Sequence, residues 1–294
     1  MTAEEPEPTD VWVRTEPALA HPARDARYRR RISLPGALRE LWASREMVRS
    51  LAEREMRARY KQTFLGIAWA VITPFLLMVV FTLFFKRAAN VDTDGVPYTL
   101  FAYLGLLPWS FFSTGMSQGG VSLVTNVPLL NKVYCPREVF PLASITLAAV
   151  DTSIALSALL VLFGVEGFAP RATSFYIPLL LLLQVAFTMG VVLIASSVMV
   201  YLRDLRTTLP LALQLGLFAT PVAYGLDSIP RRFRGAYAAA NPMVSIIDGY
   251  RRTVLYGQAP RWGLLGLSSI TTVVVLAGGY WLFKRLEGGI ADVA

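Results

Sequence analysis

Long stretches without a charged residue set the pattern of this chain. None occurs from Gln62 to Phe85, and residues 64–85 predict a first membrane-spanning helix, kinked or packed at Pro74. A bilayer core about 30 Å thick needs roughly 20 apolar residues rising ~1.5 Å each. The uncharged stretch from Gly95 to Asn131 is too long for one crossing. Residues 98–123 predict a second span, which leaves 125–138 as a polar, Pro-marked connector. Further spans are expected at 139–163, broken only by Asp151, at 175–201, at 208–226 with Pro210 and Pro221, and at 262–283 before Lys284 and Arg285. The pattern predicts an all-α integral membrane protein of six transmembrane helices, and an even number places both termini on one side.

Lys and Arg near the span ends set the orientation. Arg45, Arg49, Arg54, Arg57, Arg59 and Lys61 precede the first span, Lys132 and Arg137 lie between the second and third, and Arg203 and Arg206 between the fourth and fifth. Both termini are therefore expected in the cytoplasm. Residues 227–261 break the rule, carrying Arg231, Arg232, Arg234, Arg251, Arg252 and Arg261 on the side assigned outside. Their 13-residue uncharged stretch, 235–247, is too short to cross. It reads either as two short helices dipping into the outer leaflet, turning at Asn241 and Pro242, or as a span whose misplacement inverts the tail.

Ahead of the first span, residues 1–35 mix Pro6, Pro8, Pro17, Pro22 and Pro35 with charges and are expected to be disordered. They lack the apolar run of a signal peptide. Over 36–62 an imperfect apolar face of Leu38, Leu41, Trp42, Val48, Leu51, Met56 and Tyr60 predicts an amphipathic helix at the cytoplasmic headgroup layer. Residues 286–294 remain as a cytoplasmic tail.

Composition agrees with the span pattern. Hydrophobic residues make up 54% of the 294 and charged residues 16%, against about 25% in soluble domains. The 28 Lys and Arg exceed 20 Asp and Glu, and nearly half of them fall before residue 64. Followed by spans, such an arm points to a membrane face and not to nucleic acid. One Cys and one His exclude an intramolecular disulfide and a Cys/His metal centre. None of the four lysines follows a glycine, so no phosphate-cradling loop is present and any ATP must be bound by another polypeptide.

Several segments carry more pattern than their position requires. In 126–138, Leu129, Leu130, Val133 and Tyr134 lie beside Lys132, Arg137 and Glu138. Such a short helix suits a groove on a partner protein and suits equally the membrane surface. Asp151, the one acid well inside a span, must face protein or water. It either lines a passage or hydrogen-bonds a neighbouring helix. Tyr98, Phe101, Tyr103, Trp109, Phe111 and Phe112 crowd the second span, with Tyr224 and Tyr250 further on. Aromatic faces stack on sugar rings, and the same residues form ordinary interfacial belts. Trp109 beside Pro108 is the deepest candidate for a lining. Gly115 and Gly119 predict close helix packing.

Six segments resemble, in order, the membrane subunits of ABC exporters for O-antigen, teichoic acid, capsule and cell-wall galactan. They are 66–74 (GIAWAVITP), 104–112 (LGLLPWSFF), 132–138 (KVYCPRE), 203–206 (RDLR), 220–224 (TPVAY) and 241–251 (NPMVSIIDGYR). The resemblance covers about 38–283, and its Pro-Arg-Glu and Asn-Pro motifs are the most specific parts.

It implies the fold of a type 2 ABC exporter permease in the bacterial plasma membrane. Two copies of the chain would form a channel above two copies of a separate ATPase that binds ATP and magnesium, so the chain itself would be no enzyme and hold no cofactor. Lipid-linked polysaccharide would be the cargo, with another lipid or a drug-like molecule as the alternative. The resemblance places Asn131, Lys132, Val133, Tyr134, Pro136, Arg137, Glu138, Arg203 and Asp204 at the ATPase. Trp42, Arg49, Arg54, Arg57 and Tyr60 would belong to an interface helix. Tyr103, Trp109, Phe111, Phe112, Asp151 and Tyr224 are channel-lining candidates. Asn241, Pro242, Asp248, Tyr250 and Arg251 would belong to outer gate helices within 227–260. Cys135 stands where that family usually carries Phe.

A secondary transporter using Asp151 predicts inverted repeats and more intramembrane charge, and a membrane glycosyltransferase predicts a metal-binding acidic pair. The sequence has neither.

Overall fold

The computed structural model describes residues 42–61, 63, 65–86, 93–130 and 135–293. The expected disorder over 1–35, the start of the amphipathic helix at 36–41, and Asn131, Lys132, Val133 and Tyr134 lie outside the described residues. Among the described residues the chain is helical, with no strand.

Helix α1 spans Arg45–Tyr60. Its Glu, Arg, Met and Leu residues are good helix formers, and Glu53 pairs with Arg49 at 3.0 Å and Arg57 at 3.8 Å, each four residues away. Leu51 and Ala52 are buried in one cluster with Val139, Phe140 and Phe283, so α1 is packed on the helical body and does not float beside it. Helix α2, Trp69–Phe81, follows a single tight turn at Gly66–Ala68 and continues into a wider turn, Thr82–Lys86. Its Pro74 is buried inside the helix, where the N–H that Pro lacks leaves one carbonyl uncapped.

Helix α3, Tyr98–Thr125, is the centre of the molecule. Leu100, Ala102, Tyr103, Leu106 and Leu123 have no solvent exposure, because helices pack around it on several sides. After the four-residue α4, Val127–Leu130, come α5, Val139–Val165, and α6, Ile177–Tyr201. Helix α7 is Leu205–Ala219, α8 is Arg231–Ala240, α9 is Pro242–Val254 and α10 is Trp262–Val293. A Cβ on Gly115 would lie 3.2 Å from Thr188, and one on Gly119 would run into Val192, so this pair packs α3 against α6 within one chain. Helices α6 and α10 cross closer still: a Cβ on Gly190 would sit 2.8 Å from the Leu276 Cα.

Among the described residues, four segments are long and apolar enough to cross a membrane by length and composition: Gly66–Phe85, Val139–Val165, Ala172–Tyr201 and Trp262–Glu287. The other two expected spans fall short for different reasons. Helix α3 has 28 residues and no charge, but its Gly, Ser and Thr lower its apolarity. Helix α7 has 15 residues and reaches only about 22 Å. The sequence had placed a continuous span over 208–226. The helix instead starts three residues earlier and stops at Ala219, because Thr220 precedes Pro221 and is extended, at φ −94° and ψ 141°.

Two other boundaries differ from expectation. Of the short helix expected over 126–138, the described residues show Val127–Leu130 as helical, and Cys135 to Glu138 form a turn in which the Pro136 carbonyl accepts from the Val139 N–H at 3.2 Å. In place of a tail from 286, α10 runs on through Val293, with Lys284 and Glu287 paired at 2.9 Å along it.

Candidate functional site

The last turn of α1 and the helices α2, α3 and α5 enclose a cavity of about 430 Å³. Helical spacing explains which residues reach it. Trp69, Ala70, Thr73 and Leu77 lie along one face of α2. Trp109, Ser110, Ser113 and Thr114 do the same on α3, and Asp151, Thr152 and Ala155 on α5. Asp151 and Trp109, two of the channel-lining candidates, thus share a wall with Tyr60 of the amphipathic helix.

Asp151 is nearly buried, and both of its oxygens are engaged. One accepts from the Tyr60 hydroxyl at 2.7 Å, and the other pairs with the Arg59 guanidinium. Arg59 also stands 5.8 Å over the Tyr60 ring, and Gln118 presents its amide oxygen to the same guanidinium. Burial, and then the Asp151 carboxylate, push the Tyr60 pKa up to about 12, so its proton stays in the bond. Of the two roles left open for Asp151, the structure shows the hydrogen bond to a neighbouring helix and adds an adjacent cavity. Arg59, Trp69, Thr73 and Ser110 were not singled out in the sequence. The one local signal was the i, i+3, i+4 row of hydroxyls at Ser110, Ser113 and Thr114 beside Trp109.

The remaining aromatic candidates lie elsewhere. Tyr103 is fully buried and donates to the Ala155 carbonyl at 2.9 Å, and Phe111 is 2% exposed, so neither offers a ring face to a passage within this chain. Phe112 is half-buried and stacks on Phe187 with centroids 5.6 Å apart. Tyr224 donates to the Phe218 carbonyl at 3.1 Å and borders an open hollow with Phe233 and Tyr237.

At the α8–α9 end, Asn241 joins the two helices. Its side chain accepts from the Met243 N–H at 3.1 Å, capping α9, and donates to the Thr220 hydroxyl at 2.9 Å, while Pro242 occupies the first helical position. Tyr250 donates to Gln184 at 3.0 Å, and Gln184 donates to the Pro108 carbonyl at 3.2 Å. Asp248 lies 3.6 Å from Arg261. Arg251 is buried, with no carboxylate in contact among the described residues. It donates to the carbonyls of Phe101 at 3.1 Å, Pro221 at 2.7 Å, Tyr224 at 3.0 Å and Val222, and its guanidinium lies 3.6 Å from the Phe101 ring centre.

The residues assigned to an ATPase contact divide into two groups. Arg203 and Asp204 are exposed in the turn between α6 and α7. Glu138 is buried and pairs with Lys284 of α10, and Arg137 donates to the Glu287 carbonyl, so this half of the Pro-Arg-Glu motif is turned onto its own chain. Half-buried Pro136 lies in the turn between them. Trp42, just ahead of α1, and Arg49 and Arg57 on it are exposed, and Arg54 donates to Asn126 at the α3–α4 junction. Among the described residues no group of His, Cys, Asp and Glu could hold a metal ion.

A family model described as ABC-2 type transporter matches residues 46–255. The O-antigen export system permease protein of Myxococcus xanthus is 32% identical over 252 residues, which cover 85% of this chain and 96% of that protein. A protein of the same description from Klebsiella pneumoniae is 27% identical over 244 residues, 83% of this chain and 93% of its own length. The polysialic acid transport protein of Escherichia coli is 24% identical over 245 residues, 82% of this chain and 93% of that protein.

Proposed function

From the premise that this chain belongs to the ABC-2 type transporter membrane family, we propose that it is the channel-forming permease subunit of an ATP-driven exporter that moves lipid-linked polysaccharide outward across a bacterial plasma membrane. The observation that carries this reading is the match to O-antigen and polysialic acid transport proteins over nearly their whole length. The chain crosses six times, with α7 and the turn up to residue 226 completing the fifth crossing, and both termini lie in the cytoplasm. Two copies form the channel, and two copies of a separate ATPase bind ATP and magnesium beneath it.

The ATPase seats on residues 126–135 and on the exposed Arg203 and Asp204. Arg137 and Glu138 carry its push into α10 through Glu287 and Lys284. Helix α1 rests at the cytoplasmic headgroups with Trp42, Arg49 and Arg57 outward, and α8 and α9 form the outer gate. Asp151 and Trp109 border the cargo's path at the cavity below α3.

Co-expression with any co-encoded ABC ATPase tests the reading. The two proteins are expected to purify as a complex of two copies each, and Glu138→Gln to lower export at least as much as ATP hydrolysis. Failure of any ATPase to copurify overturns it.

A further inference from the structure

We propose that the cavity at Asp151 is a binding subsite for a neutral sugar, taking one or two pyranose rings of a glycan; the inference rests on reading glycan as the cargo. Its volume of about 430 Å³ lies within the roughly 300–1,000 Å³ of sites that enclose small ligands. Trp69, 44% exposed, lines the cavity with a carboxylate, a guanidinium and a row of hydroxyls, and the largely buried Trp109 borders the same space. This is the chemistry a pyranose matches on both counts, since its C–H face stacks on aromatic rings and its edge carries hydroxyl groups.

Charge decides between a sugar and the phosphate groups of a lipid carrier. Arg59 and Asp151 neutralise each other in the cavity wall. An entering phosphate would take Arg59 away from Asp151 and leave a largely buried carboxylate facing a second anion, an arrangement that is costly away from water. A neutral diol avoids this, with one hydroxyl accepting from Arg59 and the next donating to Asp151, so the pair opens without an unmatched charge.

The hydroxyls point to the same ligand. Thr152 donates to the Ala148 carbonyl at 2.8 Å and Ser113 to the Ser110 carbonyl at 3.3 Å, so each turns acceptor lone pairs outward. Thr73, Ser110 and Thr114 make no hydrogen bond among the described residues, leaving three hydroxyls that donate or accept as a rotating sugar requires.

Saturation-transfer difference NMR on the full chain in lipid nanodiscs tests the site without any ATPase. The probes are maltose, cellobiose and N,N′-diacetylchitobiose, with inorganic pyrophosphate as competitor. Transfer to the ring C–H protons of at least one disaccharide is expected, unchanged by pyrophosphate. Thr73→Val with Ser110→Ala removes two hydroxyls at little cost in shape, and is expected to weaken binding by about 2- to 10-fold per lost hydrogen bond. Asp151→Asn should weaken it further if the variant folds.

Three results would overturn the proposal: no transfer to any disaccharide, a signal displaced by pyrophosphate, or binding unchanged in the double variant. A null result alongside a copurifying ATPase and intact export removes the subsite and leaves the exporter reading standing.

Discussion

Arg59 and Arg251 both sit among apolar helices, and their surroundings differ in kind. Arg59 meets a carboxylate across the wall of a cavity, where a third of its side chain remains exposed. Arg251 meets no carboxylate among the described residues and is sealed among four backbone carbonyls and the Phe101 ring. A side-chain partner beside open space can be exchanged for a ligand group. Carbonyls fixed in a helix and a turn cannot move away, and without the guanidinium they lose their hydrogen bonds where water does not reach. The first arginine is therefore placed for exchange and the second for permanence.

The largest expected effect follows from that permanence. Arg251→Met keeps most of the length and strands the carbonyls of Phe101, Pro221, Val222 and Tyr224. At about 1–3 kcal/mol per unsatisfied buried group, the variant is expected to lose most of its folded yield in detergent, read by size exclusion and thermal unfolding. Gly105→Ala comes next, since its Cβ would run into the Arg251 guanidinium and lie 3.0 Å from the Val222 carbonyl. A cost of about 1–3 kcal/mol is expected from this overpacking, read as a lower unfolding temperature.

Asp151→Asn should cost far less stability than either, because the cavity lets water reach Arg59, yet it should lower export. Equal destabilisation by Asp151→Asn and Arg251→Met would break the comparison.

An exposed ion-pair cluster gives the smallest effect. Burial raises the pKa of Asp227, but hydrogen bonds and charges from Arg261 and then Arg234 outweigh it and hold the carboxyl below its ordinary value. A carboxylate whose pKa falls on folding stabilises the native state above its unfolded pKa, and that contribution fades as pH drops through the folded value. Since Asp227 is 70% exposed, a pair of this kind is worth about 0.2–1 kcal/mol. The unfolding temperatures of the wild type and Asp227→Asn should therefore differ slightly at pH 7 and converge below about pH 4.

Lys284 and Arg285 mark where the apolar stretch ends after residue 283, but charge at the end of a span does not end a helix, and α10 continues past them. Positions were poorly legible inside α3, where no charged residue marks a face. Tyr103, Trp109 and Phe111 therefore looked alike before packing buried all three and left Trp109 alone bordering a cavity. The Arg59–Asp151 pair joins residues 92 apart, and no spacing rule reports such a contact. Arginine-rich composition flagged 227–261 as unusual without separating Arg251, locked under four carbonyls, from Arg231, which is exposed. The end of α7 was legible in Thr220-Pro221, but the apolar residues beyond it outweighed the proline in the reading of a span.

Helix α10 has a mechanical consequence. Lys284 holds Glu138 near one end of it, while Ser268 and Thr271 donate to the Ala238 and Ala239 carbonyls that close α8, at 2.9 and 2.8 Å. The stretch from 268 to 284 spans about 24 Å of unbroken helix. Between these fastenings Gly190 and Gly279 bring α6 against it with no side chain in the gap, a fulcrum on which the rod can tilt with little friction. A lever with one end pinned to the 135–138 turn and the other to α8 delivers any tilt to both at once, in opposite directions.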